Sequence, residues 1–119
     1  MIQVTRPRCW IERVVDSDTL VVWIEATPDV RVRYRVRLVG IEGGELDTDE
    51  GRFGAASLTA HLERLQAQRL YWHGSLLTRD QHGRLVGDVV DDTGSRLTTD
   101  LLACGSHWRR DKSGNEKRN

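Results

Sequence analysis

The chain has 119 residues, 18 basic and 18 acidic, and 38% of its positions are hydrophobic. That length suits one domain with a small core, since compact domains run to about 100–150 residues, and it leaves little room for a long structureless insert. The balanced charge excludes nucleic-acid binding by bulk charge while leaving room for a local basic site. Cys9 and Cys104 stand near opposite ends without the close spacing of a zinc pair, so two reduced thiols are expected, a single disulfide being arithmetically open. No apolar run reaches the roughly 20 residues of a membrane span, and the first residues lack the apolar core of a secretion signal. As a full-length product the chain is expected in the cytoplasm, off the membrane and monomeric; for an excised domain the compartment stays open.

Trp10 to Val15 reads as a short strand that ends at the turn Asp16-Ser17-Asp18, and Thr19 to Glu25 as a second strand rich in β-branched and aromatic residues. After the Thr27-Pro28-Asp29 turn, Val30, Val32, Tyr34, Val36 and Leu38 alternate with Arg31, Arg33, Arg35 and Arg37, the period of a strand with one buried face. The alternation gives way at Val39-Gly40-Ile41, where a change of direction is expected. Glu42 to Gly51, acidic and glycine-bearing, reads as a loop. Helix is predicted over about Phe53 to Gln68, where Leu58, Leu62 and Leu65 share one face. Arg69 to His73 and Arg84 to Val90 read as strands on either side of the Asp80-Gln81-His82-Gly83 turn, and Leu97 to Cys104 as a helix with Thr98 or Thr99 near its cap. Trp10, Trp23 and Trp72 are expected in the core, and Trp108 in the core or as a stacking platform. The predicted domain is 1–108. Residues 109–119 contain no apolar residue and read as a solvated basic tail.

Three strands, a helix, two strands and a helix describe a five-stranded antiparallel oligonucleotide/oligosaccharide-binding (OB) barrel, mostly β with a helix between strands three and four and a C-terminal helix.

Charge gathers where the strands end: Asp16-Ser17-Asp18-Thr19, Arg37 to Glu45, Asp80-Gln81-His82-Gly83-Arg84, and the last helix. In this order and spacing the segments resemble the staphylococcal nuclease (thermonuclease) family, with its Asp-Gly-Asp-Thr, an arginine eight residues before the glutamate of Asp-x-Pro-Glu, and Asp-x-Tyr-Gly-Arg. The resemblance covers roughly residues 10–108. It implies an OB barrel that cleaves DNA or RNA phosphodiesters with calcium. On the matching positions it makes Asp18, Glu42 and the Gly43 carbonyl the metal ligands, with Asp16 supporting them. Glu45 becomes the residue that orients or deprotonates water, and Arg37 and Arg84 the phosphate-gripping arginines. His82, where the family often has tyrosine, is a substrate-binding candidate. Two positions depart from the family pattern: Glu42 is one methylene longer than the usual aspartate, and Gly44 replaces the proline before the glutamate.

The chemistry suits these residue types. Phosphodiester hydrolysis builds negative charge around phosphorus, and a planar guanidinium can meet two phosphate oxygens at once. A hard cation with oxygen ligands polarises the phosphate further, and a glutamate can hold a water for attack. An OB cleft accepts single-stranded or frayed nucleic acid more readily than a duplex. The same features also suit a catalytically degenerate nucleic-acid-binding module or a protein-interaction domain. Arg31, Arg33 and Arg35 read as a solvated strand face that, in phase with Arg37, could extend a basic surface.

Overall fold

The β-branched stretches of the first forty residues form three nine-residue strands, β1 (Arg8–Asp16), β2 (Thr19–Thr27) and β3 (Val30–Leu38). They are followed by β4 (Ile41–Gly43), α1 (Asp49–Leu65), β5 (Leu70–Arg79), β6 (Leu85–Asp91), α2 (Leu97–Ala103) and β7 (Trp108–Arg110). The computed structural model describes residues 6–43, 48–103 and 108–110. Five strands close a barrel in the order β1-β2-β3-β6-β5, and β4 and β7 form a separate two-stranded ribbon.

The architecture is OB-like, but the barrel is mixed rather than purely antiparallel, because β3 and β6 run parallel. The reason is one of parity. Strand directions cannot alternate all the way round a closed ring with an odd number of members, so five strands leave at least one parallel pair. Here that pair joins the end of β3 to the start of β6, with Arg37 opposite Val86 and Leu38 opposite Gly87.

The interior is filled by the inward positions of the alternating strands: Leu20, Val22 and Ile24 from β2, Val36 and Leu38 from β3, Leu85 and Val89 from β6, and Trp72 from β5. Helix α1 lays Leu58, Leu62 and Leu65 on this core. It starts four residues before the predicted Phe53, because the Thr48 hydroxyl accepts the Gly51 N–H at 3.0 Å and caps the first turn. Helix α2 is fastened by a residue from another element. Asp88 on β6, fully buried, accepts the Thr98 hydroxyl at 2.5 Å and the Thr98 N–H at 3.2 Å. Burial pushes the Asp88 carboxyl above its ordinary range despite these bonds.

Several expectations change. The run from Val30 to Ile41 breaks at Gly40, whose φ of 76° suits glycine, and Ile41 opens β4. The strand predicted to end at His73 continues to Arg79. Trp72 is in the core as expected, but Trp23 is 37% exposed and Trp10 only half-buried, since both lie on the outer face of the barrel. Arg109 and Arg110, assigned to the tail, pair with Glu42 and Ile41 in the β4–β7 ribbon. Cys9 is buried and free, and Cys104 lies outside the described residues.

Candidate active site

The β1–β2 turn is closed by Asp16, whose Oδ1 accepts the backbone N–H of Asp18 at 3.1 Å, a local bond that short acidic side chains make readily. The carbonyl of Asp18 then accepts the N–H of Leu38 at 2.9 Å, which ties the turn to the end of β3. Thr19, the first residue of β2, lies opposite Arg37. Asp18 and Arg37 therefore meet: Oδ2 is 3.8 Å from Nη2, with side chains only 16% and 14% exposed. Arg37 also donates through Nη1 to the Leu38 carbonyl at 2.6 Å.

Arg84 reaches the same group from the β5–β6 turn. Its Nη1 donates to the Thr19 hydroxyl at 2.9 Å, and that hydroxyl donates to Asp18 Oδ1 at 3.2 Å. One chain of contacts, Arg84 to Thr19 to Asp18 to Arg37, thus joins three residues singled out in the sequence, with 65 positions between Thr19 and Arg84. The turn itself is organised by Asp80. Its Oδ1 accepts the N–H groups of His82 and Arg84, both at 2.9 Å, and its Oδ2 takes the Nε–H of Arg84 at 2.9 Å. Partial burial would raise the Asp80 pKa, but these N–H donors and the guanidinium outweigh it and hold the carboxyl below its ordinary range.

Asp18 is perturbed the other way. Burial, joined by the hydrogen-bonded Asp16 carboxyl, pushes it up to about 6, against the pull of Arg37. A carboxylate crowded in this way gains from an added cation.

Gly43 is brought onto the same turn by close packing. A Cβ at this position would lie 2.0 Å from Ser17 Oγ, so only glycine fits there without movement. Trp108, opposite Gly43 in the ribbon, donates its indole N–H to the Ser17 carbonyl at 2.6 Å. It is 4% exposed and belongs to the core rather than to a stacking platform. Glu42 is exposed on β4 opposite Arg109. His82 is exposed at the tip of the β5–β6 turn beside Gln81. Glu45 lies outside the described residues.

The structure thus assembles Asp16, Asp18, Arg37 and Arg84, with the Gly43 backbone against the same turn. Thr19, Asp80 and Ser17 join them with no role assigned from sequence. The separation of four between Asp80 and Arg84 was the available signal for one of them; Thr19 matched the threonine of the Asp-Gly-Asp-Thr motif without a role, and Ser17 gave none beyond membership of the acidic turn. Oxygen donors at Asp16, Asp18, Glu42 and the Gly43 carbonyl suit a hard cation in kind. Among the described residues, no three His, Cys, Asp or Glu side chains form a set that could hold a metal ion. A groove of about 660 Å³ lies elsewhere, lined by α1 residues such as His61 and Arg64 together with Asp91 and Asp100.

An OB-like barrel with two arginines and a perturbed aspartate at one strand end is a form suited to binding a phosphodiester. No protein-family model matches the chain. Two relatives, each named an uncharacterized endonuclease, from Escherichia coli O157:H7 and Escherichia coli, are 28% identical to it over 98 residues. The match takes in 82% of this chain and 58% of each relative, so the chain spans little more than half the length of the relatives it matches. The similarity is to nuclease-like proteins. No helix among the described residues is long and apolar enough to cross a membrane.

Proposed function

We propose that this chain is a calcium-dependent phosphodiesterase of the staphylococcal nuclease type, hydrolysing DNA or RNA in single-stranded or frayed form. The observation that carries the reading is the contact chain linking Arg84, Thr19, Asp18 and Arg37, because it sets two guanidinium groups beside one carboxylate at a single strand end. The name of the two relatives supports the nuclease part of the reading.

In this reading Arg37 and Arg84 bind the scissile phosphate and meet the charge that develops on it. Asp80 and Thr19 aim Arg84. Glu45 holds the attacking water and accepts its proton. Asp18, Glu42 and the Gly43 carbonyl would hold calcium, with Asp16 steadying Asp18. Calcium held there would supply Lewis-acid polarisation of the phosphate. Cleavage of labelled oligonucleotides with calcium and with chelator tests the reading. Calcium-stimulated cleavage that is lost in both Arg37→Ala and Arg84→Ala supports it. Cleavage indifferent to chelator and to both substitutions refutes it, and oligonucleotide binding without cleavage makes the chain a binding module.

A further inference from the structure

The outer face of the barrel carries a second cluster with no part in the site above. Trp10 on β1 lies under two guanidinium groups: the Cζ of Arg31 is 3.7 Å from its ring centroid and that of Arg8 is 4.9 Å away. Cation–π packing of this kind fixes the plane of a guanidinium while leaving N–H groups at its edge to donate. The neighbouring Arg33 is committed differently. It makes a two-pronged bond to Glu12 at 2.8 and 2.9 Å, and Trp23 donates its indole N–H to the same carboxylate at 2.9 Å. These donors hold the Glu12 carboxyl down at about 2, so that pair is already neutralised.

Arg8 and Arg31 make no such bond, although Glu25 stands opposite Arg31 in the β2–β3 ladder. Among the described residues neither makes an ion pair. The Nε of Arg8 is buried and has no hydrogen-bond partner among the described residues. A buried, unmet donor on a cationic side chain is costly unless something supplies an acceptor. Arg8 and Trp10 also line a cavity of about 320 Å³ with Gln66 and Gln68. Arg31 lies on the same face of β3 as Arg37, three side-chain repeats away, a separation of about 20 Å at strand rise.

We infer that the Arg8–Trp10–Arg31 cluster is a second phosphate-binding surface, one that holds the backbone of a nucleic-acid strand several nucleotides away from the Arg37–Arg84 site. The inference rests on the nucleic-acid reading above, but it concerns binding and not cleavage. A phosphate meets exposed Arg31 and the accessible edge of the half-buried Arg8 guanidinium, with Trp10 keeping both planes in place. The strand that leaves the cleavage site would follow the face of β3.

Fluorescence anisotropy of a labelled single-stranded oligonucleotide, measured in chelator over a range of salt concentrations, tests it. Each phosphate contact contributes about 0.7 to the slope of log affinity against log salt for a single strand. Arg31→Ala and Arg8→Ala should each flatten the slope by about that amount and weaken binding, and Arg64→Ala, on exposed α1, should leave both unchanged. Arg31 is exposed, so its variant tests the surface even where Arg8→Ala fails to fold. In calcium, the Arg31 variant should raise KM for a long oligonucleotide with kcat unaltered, and leave hydrolysis of a small phosphodiester with a chromogenic leaving group as it was. An unchanged slope in Arg31→Ala overturns the proposal, whether or not the protein cleaves. A parent that binds with the expected Arg31 dependence yet never cleaves keeps this surface and removes the nuclease reading.

Discussion

Asp80→Asn separates the shape of the β5–β6 turn from the aiming of Arg84. Asparagine keeps a carbonyl at the Oδ1 position, so it can still accept the N–H groups of His82 and Arg84. It replaces Oδ2 with an amide donor facing the Nε–H of Arg84, and two donors then meet where a 2.9 Å ion pair stood. A hydrogen bond to a charged group is worth about 1.5–3 kcal/mol. The two side chains are 17% and 16% exposed, so water replaces part of the loss and the lower end applies, about 1.5 kcal/mol. For a domain of this size that is a fall in Tm of about 4–8 °C. The sign of the pH dependence follows from the depressed pKa of Asp80. Its contribution is present above the ordinary carboxylate pKa and is lost as pH falls through the folded value, so parent and variant should converge in acid. The guanidinium keeps its Thr19 contact but loses its second anchor. A displacement near 1 Å costs about 100-fold in rate, so kcat should fall by about 10- to 100-fold with a smaller change in KM. Thermal melts at neutral and acid pH, together with single-turnover cleavage, measure both effects. A variant with parental Tm at neutral pH and parental kcat refutes Asp80 as the positioning residue for Arg84.

Arg37→Ala and Arg84→Ala should each lose about 2.7–4 kcal/mol of transition-state stabilisation, as removal of a single charge-stabilising donor does; lysine at either position should restore little in cleavage kinetics, since it lacks the fork. Asp18→Asn should abolish calcium-stimulated cleavage, measured by initial rates, yet stabilise the fold. A carboxyl pushed up to about 6 favours the folded state most below its unfolded pKa, and that contribution is lost as pH rises from about 4 through 6. The asparagine variant should therefore melt higher than the parent near pH 7, with the difference shrinking toward pH 4. Glu42→Asp, the residue of the pattern the sequence resembles, should tighten calcium binding by calorimetry and raise the cleavage rate.

The alternating strands were legible because one face of each is buried: Leu20, Val22 and Ile24 inside, then Val36 and Leu38, follow a period of two that needs no tertiary knowledge. Trp23 is aromatic enough to suggest the core, but its phase, between buried Val22 and Ile24, places it outside. The parallel β3–β6 pair was beyond local reading, since it follows from closing five strands into a ring. Strand β7 was hidden for a different reason. Arg109 and Arg110 carry no apolar signal; their main chain pairs with β4, and Trp108 is anchored in the core. At the site, Asp18, Arg37 and Arg84 were visible as charged residues at strand ends. Thr19 was not, because a buried hydroxyl bridging an arginine and an aspartate becomes functional only through what folds against it.

Gly43 shows how the two kinds of reading can assign one residue different physics. Read along the chain, Gly43-Gly44 is a pair freer than the proline turn it replaces, able to yield around the longer Glu42. In the fold, Gly43 is the point where β4 touches the β1–β2 turn, with Ser17 Oγ standing 2.0 Å from where a Cβ would be and Trp108 bonded to the Ser17 carbonyl. A residue pinned between two elements supplies no slack, so any adjustment to Glu42 falls on its own side chain or on residues beyond Gly43. The contact also makes a paired prediction. Gly43→Ala should cost about 1–3 kcal/mol through overpacking and shift the strand that leads to Glu45, lowering calcium-stimulated cleavage. Ser17→Gly, which removes the colliding hydroxymethyl group, should recover most of that loss when combined with Gly43→Ala in a double-mutant cycle. Additive losses in melts and in cleavage would show that Gly43 is required for freedom of its backbone, and that the packing against Ser17 does not set the position of the loop.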